Sequence, residues 1–100
     1  MQATVTVNEG HAAIRLKGRF DFNAHREFRE AIDAVLATPG SEIVVDFGDV
    51  EYLDSSALGM LLMLRDRAKG TAREVMLTSC RGAVKQILDI ANFGKLFNID

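Results

Sequence analysis

Cysteine occurs once in this chain of 100 residues, at Cys80, which excludes an internal disulfide and a cysteine-rich metal site. A lone thiol of this kind is expected to serve as a small buried apolar residue. Histidine is nearly as scarce, with only His11 and His25, and neither falls in a ligand spacing such as His-Glu-x-x-His. His11 belongs to an expected turn and His25 opens an expected surface helix, so both read as solvated polar residues. No apolar run approaches the roughly 18 residues of a membrane span, and the start Met1-Gln2-Ala3-Thr4-Val5-Thr6 lacks the basic head and apolar core of a secretory leader. The expectation is a cytoplasmic protein with no membrane insertion. An excess of one charge is also missing. A net charge of −2 with both signs interspersed offers no basic patch for nucleic acid or an anionic membrane. A Gly-rich phosphate loop, repeats, low-complexity tracts and linkers are absent as well. With 48% hydrophobic and 26% charged residues, the composition is that of a single globular domain over 1–100.

What is present is regular patterning. Val5 and Val7 alternate with Thr4, Thr6 and Asn8, and Ile14 and Leu16 with Arg15 and Lys17. Period two on both sides of Asn8-Glu9-Gly10 predicts an antiparallel hairpin, and Phe20 continues its inward phase. Asn23 is placed to cap the next helix, in which Ala24, Phe28, Ala31, Ile32, Val35 and Leu36 recur at helical spacing up to Thr38-Pro39-Gly40. Ile43-Val44-Val45 reads as a central strand covered on both faces. A helix from about Ser55 to Lys69 stops at Gly70, Glu74 to Thr78 forms another strand, and a third helix carries Ala83, Val84, Ile87, Leu88 and Ala91 on one side. Leu96-Phe97-Asn98-Ile99 folds back as a last turn or strand. This alternation predicts an α/β fold, a mixed β-sheet with helices packed mainly on one face.

The most informative stretch is Asp49 through Leu62, where a polar turn runs into an apolar helix at Asp54-Ser55-Ser56. Asp and Ser accept hydrogen bonds from the free N–H groups of a first helical turn. On propensity alone, all three are helix caps, and Asp21 is a turn or cap residue. The same position sets two hydroxyls at the positive end of a helix, where a phosphate meets a favourable field. Ser55 has no Gly-x-Ser-x-Gly elbow and no histidine base, so an enzyme is not expected.

Asp49 through Leu62, with Asp54-Ser55-Ser56-Ala57-Leu58-Gly59 at its centre, resembles the signature of STAS-domain anti-sigma factor antagonists, the anti-anti-sigma factors of bacteria, and Gly18-Arg19-Phe20-Asp21-Phe22-Asn23-Ala24 resembles that family's strand-to-helix entry. Ala57 departs from the usual Gly, leaving the serine intact but narrowing backbone freedom beside it. The resemblance spans nearly the whole chain and implies the STAS fold. It also implies a non-enzymatic regulator that works by partner switching. Ser55 falls on the serine phosphorylated by a partner kinase, with Asp21 and Asp54 on flanking acidic positions. The implied partners are an anti-sigma factor or a serine kinase of the histidine-kinase-like ATPase type, which supplies the ATP, and a PPM-type serine phosphatase. No cofactor of the chain's own is implied. Variants with Phe-Asp-Phe and Ser-Ala-Leu-Gly include antagonists tied to motility and biofilm control. The alternative is an accessory subunit of an ABC-type lipid transporter, docking the same helix on an ATPase.

Helical geometry refines the site. At about 100° per residue, Ala57, Leu61, Leu64 and Ala68 cluster in one arc facing the sheet. Met60 and Met63 lie outside that arc near Ser56, and flexible Met side chains suit an adaptable recognition surface. The expected partner surface is therefore Asp21, Asp54, Ser55, Ser56, Ala57, Leu58, Gly59, Met60 and Met63. Ser55 lies roughly 150° from the buried direction and Ser56 roughly 110°, which favours Ser55 as the phospho-acceptor over Ser56.

Overall fold

The computed structural model describes residues 1–40 and 42–100. Period-two alternation carries the chain through β1 (Gln2–Asn8) and β2 (His11–Phe20). Between them Gly10 takes φ +79°, a conformation that a side chain resists. The strands pair antiparallel in unbroken register from Gln2↔Lys17 to Asn8↔His11. The expected hairpin is present, with His11 as the first residue of β2 rather than part of the turn.

A 3₁₀ turn over Phe22–Ala24 leads into α1 (His25–Leu36), followed by β3 (Glu42–Leu53), α2 (Ser55–Lys69), β4 (Glu74–Thr78) and α3 (Gly82–Ile90). A second 3₁₀ turn, Phe93–Lys95, precedes β5 (Asn98–Ile99). The sheet order is β1-β2-β3-β4-β5, antiparallel between the first two strands and parallel thereafter. Each parallel step moves one strand in the same direction, so right-handed crossovers stack all three helices on one face. Ala12, Ile14, Leu16, Ile43, Val45, Phe47 and Leu77 are buried beneath Phe28, Ile32, Val35, Leu61, Leu64 and Leu88. On the other face Thr4, Arg15 and Lys17 are exposed, while Val44 and Met76 are half-buried. The expectation that β3 is covered on both faces is therefore corrected. Its β-branched run marks a central strand, but helices cover only one side of it.

The polar turn expected at Asp49-Val50-Glu51-Tyr52 is also corrected, because β3 continues through it to Leu53. The register of β2 against β3 shifts twice, between Arg15 and Lys17 and between Gly18 and Arg19. Bulges of this kind break the alternation that identifies a strand in sequence. Gly18 supplies φ +98° beside the second shift. Arg73, only 6% exposed, donates from Nη1 to Val35 O at 2.8 Å and Thr38 O at 2.9 Å, tying the chain before β4 to the carbonyl end of α1.

Candidate functional site

The parallel pairing of β2 and β3 brings Phe20 opposite Leu53. Both side chains are buried. The Phe20 ring lies 4.8 Å from that of Phe28 and 6.3 Å from that of Phe47, centroid to centroid, so the two strand ends rest on a packed aromatic corner. Asp21 and Asp54 emerge next, at the same end of the sheet. The Asp54 N–H donates to Phe20 O at 3.2 Å, which fixes one chain exit against the other.

Asp54 is extended, and its Oδ1 accepts from the Ala57 N–H at 3.1 Å. It is the N-cap of α2. Asp21 does the same for the first 3₁₀ turn, accepting from the Asn23 N–H at 3.0 Å. The cap expected at Asn23 is corrected accordingly, since α1 begins after Ala24 and has no side-chain cap. Because Asp54 does the capping, the serines are spared that task. Ser55 and Ser56 are both exposed, and neither hydroxyl has a hydrogen-bond partner among the described residues. Their hydroxyls stand at the positive end of a 15-residue helix, where an anion gains about 0.3–1 kcal/mol at the surface.

Along α2 the expected core residues Ala57, Leu61, Leu64 and Ala68 are all fully buried. Met60, expected on the open flank, is only 3% exposed and belongs to the core. Including it widens the buried stripe to about 100°, the ordinary width for a helix packed on a core; the narrower arc was an underestimate. Ala57 also contributes no exposed side chain. Leu58, Leu62 and Met63 are half-buried against the core, while Gly59 is exposed. A Cβ added at Gly59 would meet nothing within 4 Å. At about 100° per residue, Ser55 and Gly59 lie opposite the buried stripe and Met63 lies on its flank, about 110° from its middle, so the three form a shallow ridge that slants from the open face toward the core, with a gap at the glycine.

Three residues near the aspartates were not singled out from the sequence. Phe22 is 68% exposed and Tyr52 40%. Arg19 lies over the Tyr52 ring at 4.2 Å and approaches Asp21 Oδ2 with Nε at 3.7 Å. For Arg19 the signal was available, because an inward Phe20 turns its strand neighbour outward; Phe22 would be inward by the same alternation, and its exposure follows from the chain leaving the sheet for the 3₁₀ turn Phe22–Ala24. Tyr52 was hidden by the misread end of β3.

Among solved structures, an anti-sigma factor antagonist from Mycobacterium paratuberculosis superposes with a TM-score of 0.87, at 21% identity, over 98% of this chain and 83% of that one. The Bacillus cell fate determinant SpoIIAA in its phosphorylated form gives 0.74, at 20% identity, over 99% and 91%. These likenesses establish a shared fold. In sequence, a STAS-domain containing protein of Pseudomonas aeruginosa strain UCBPP-PA14 is 51% identical over 86 residues, which is 86% of this chain and 84% of that protein. The family model described as Mlab, STAS domain, matches residues 3–98; with the hairpin, the one-sided helix layer and the Asp-capped serine turn, the match shows that the chain belongs to the STAS domain family.

Proposed function

We propose that this chain is a non-enzymatic anti-sigma factor antagonist that works by partner switching, with Ser55 as the phospho-acceptor and Ser56 as the alternative. The observation that carries the reading is the exposed serine pair at the start of α2, left without structural duty because Asp54 caps the helix. The partner surface combines Asp21, Asp54, Ser55 and Ser56 with Leu58, Gly59 and Met63. Unphosphorylated, it holds an anti-sigma factor or a histidine-kinase-like serine kinase and frees that regulator's other target. The kinase supplies ATP, and a PPM-type phosphatase restores the hydroxyl. SpoIIAA, which shares the fold, has been solved in a phosphorylated form.

A phosphate adds about −1.5 to −2 charges. Beside the Asp54 carboxylate it meets repulsion of about 1–4 kcal/mol per unit charge pair at about 4 Å, with solvent pulling toward the lower end. Inside a desolvated interface with no cation facing it, the same charge costs several kcal/mol, which corresponds to orders of magnitude in affinity. Binding is lost while the fold stays. Affinity capture from cells compares Ser55→Ala with Ser55→Glu, alongside phosphopeptide mapping of the wild type. The expected result is phosphate on Ser55 and a kinase-like ATPase retained by Ser55→Ala and lost by Ser55→Glu. Identical partner sets would reject partner switching, and capture of a transporter ATPase by both variants would support the accessory-subunit reading instead.

A further inference from the structure

The sheet ends at β1, which has β2 on one side and no strand on the other. Its register against β2 runs unbroken to Asn8↔His11, across the two-residue turn Glu9-Gly10. A pair that closes a two-residue turn exchanges both of its backbone bonds. Alternation then fixes the rest of the strand: Gln2, Thr4, Thr6 and Asn8 aim their N–H and C=O groups at β2, whereas Ala3, Val5 and Val7 aim theirs away from the sheet. Among the described residues no other backbone group meets them. Edges of this kind are ordinarily blunted by a charge, a proline, a bulge or brevity. β1 has seven residues, no charged residue, no proline and no shift of register. The opposite edge, β5, has only two residues. Head-to-tail addition of β1 to the β5 of another molecule would therefore form few bonds, and the arrangement that uses the whole strand is β1 on β1, which closes after two copies.

We propose that β1 is a dimerisation edge, pairing antiparallel with β1 of a second copy about a twofold axis at Val5 and joining two five-stranded sheets into one. Val5 then bonds the partner's Val5, and Ala3 bonds the partner's Val7, for roughly six backbone bonds in all. A register centred on any other residue shortens the overlap. The side chains agree with the axis at Val5. Ala3 and Val5 pack partly against the core, and Val7, on the same face, is 51% exposed. Its neighbour across the junction is the partner's Ala3, so the large apolar side chain that β1 exposes becomes covered. On the open face Thr4 meets the partner's Thr6 and Gln2 meets the partner's Asn8, pairs of uncharged hydrogen-bonding groups. Neither strand brings a charge to the junction. α1 lies over β1, and its flank away from the Asp33 that bonds Arg67 of α2 carries Ala31, Ala34 and Glu27 at about 100° per residue. The two alanines leave room for the partner's helix, and the exposed Glu27 keeps its carboxylate in water. The serine turn follows β3, two strands in from this edge. Both copies of Ser55 stay open in the dimer, and the proposal does not rest on partner switching.

The test is sedimentation equilibrium of the purified chain over about a hundredfold range of concentration, with amide hydrogen exchange followed at both ends of that range. A reversible monomer–dimer equilibrium is expected, identical in wild type and Ser55→Ala. The amides of Ala3, Val5 and Val7 should exchange about tenfold or more slower at the high concentration, while those of Thr4 and Thr6, already bonded to β2, stay slow throughout. Thr4→Lys combined with Thr6→Lys sets like charges opposite one another across the junction and should give a monomer, as should Thr4→Glu combined with Thr6→Glu. Both positions are exposed, so each variant should keep the circular dichroism of the wild type, and mixing the two should restore a dimer. A wild-type monomer at every concentration, a dimer in which Ala3, Val5 and Val7 exchange as fast as in the monomer, or a dimer that both folded charge variants retain would overturn the proposal. Growth beyond two copies would overturn the closed pairing equally.

Discussion

Gly59 lies in the interior of α2 with open space where its Cβ would be. Glycine in a helix interior is about 0.5–1 kcal/mol less stable than alanine, so nothing within this chain requires it. Gly59→Ala should therefore raise unfolding free energy by about 0.5–1 kcal/mol in a urea melt and, where a partner approaches the ridge closely, reduce affinity at the same time. Greater stability with unchanged partner affinity would move the partner surface away from the ridge. Asp54 carries a complementary expectation. Asp54→Ala removes the bond to the Ala57 N–H and should cost about 0.5–2 kcal/mol, whereas Asp54→Asn keeps a good cap and should cost far less. Equal losses in the two variants would show that charge, not capping, is what Asp54 contributes to folding. Sequence alone identified a helix start at this point but could not choose the cap among three adjacent capable residues. That choice depends on where β3 releases the chain, which is fixed by the Asp54 N–H bond to Phe20 O, a contact between residues far apart in sequence.

At the scale of the element, α2 has two methionines with opposite fates. Met60 is in the core and Met63 is half-buried at its margin. Met60→Ala should lose about 2–5 kcal/mol of stability, as large-to-small changes in a packed core do. Met63→Lys should lose less, because a lysine stem can lie along the apolar surface with its ammonium in water, and its main effect should fall on partner binding. Paired urea melts decide the matter: a Met63→Lys loss as large as that of Met60→Ala would place Met63 in the core. The difference was illegible in sequence because both residues flank the same arc, and which flank is covered depends on the neighbouring elements. The boundaries of α2 itself, Ser55 to Lys69, were legible from Asp54 on one side and Gly70 on the other. β3 was legible only in its regular half. Beyond Phe47, Glu51 and Tyr52 are exposed in succession, a pattern that reads as a turn unless the bulges against β2 are known.

For the molecule as a whole, two probes separate folding from function. Cys80 follows β4 and packs partly against the core. Burial, opposed by the nearby Lys85 ammonium, pushes its thiol up to about 11, above the roughly 8.5 of a free cysteine. A folded-state value above the unfolded one favours the neutral thiol in the fold. Stability from this source is thus complete below about pH 8.5 and is lost as pH rises toward 11. Since the thiolate is the nucleophile, alkylation by iodoacetamide at pH 8 should be slow in the folded chain and fast in urea. A folded-state rate matching that of a free thiol would show that the C-terminal third is loosely packed.

That reactivity then becomes the control for the phosphomimetic Ser55→Glu. The serine turn stands outside the core, with the buried pair Phe20 and Leu53 beneath it, so a charge there has no apolar surroundings to disrupt. The field of α2 favours the added charge by about 0.3–1 kcal/mol, and the carboxylate of Asp54 opposes it by a comparable, solvent-weakened amount. The opposed effects leave stability nearly unchanged. Ser55→Glu should therefore keep the circular dichroism, the urea midpoint and the slow Cys80 alkylation of the wild type while losing its partner. Loss of the partner together with rapid alkylation would mean that the charge acts by loosening the fold, and the site would then be a structural element rather than a switch.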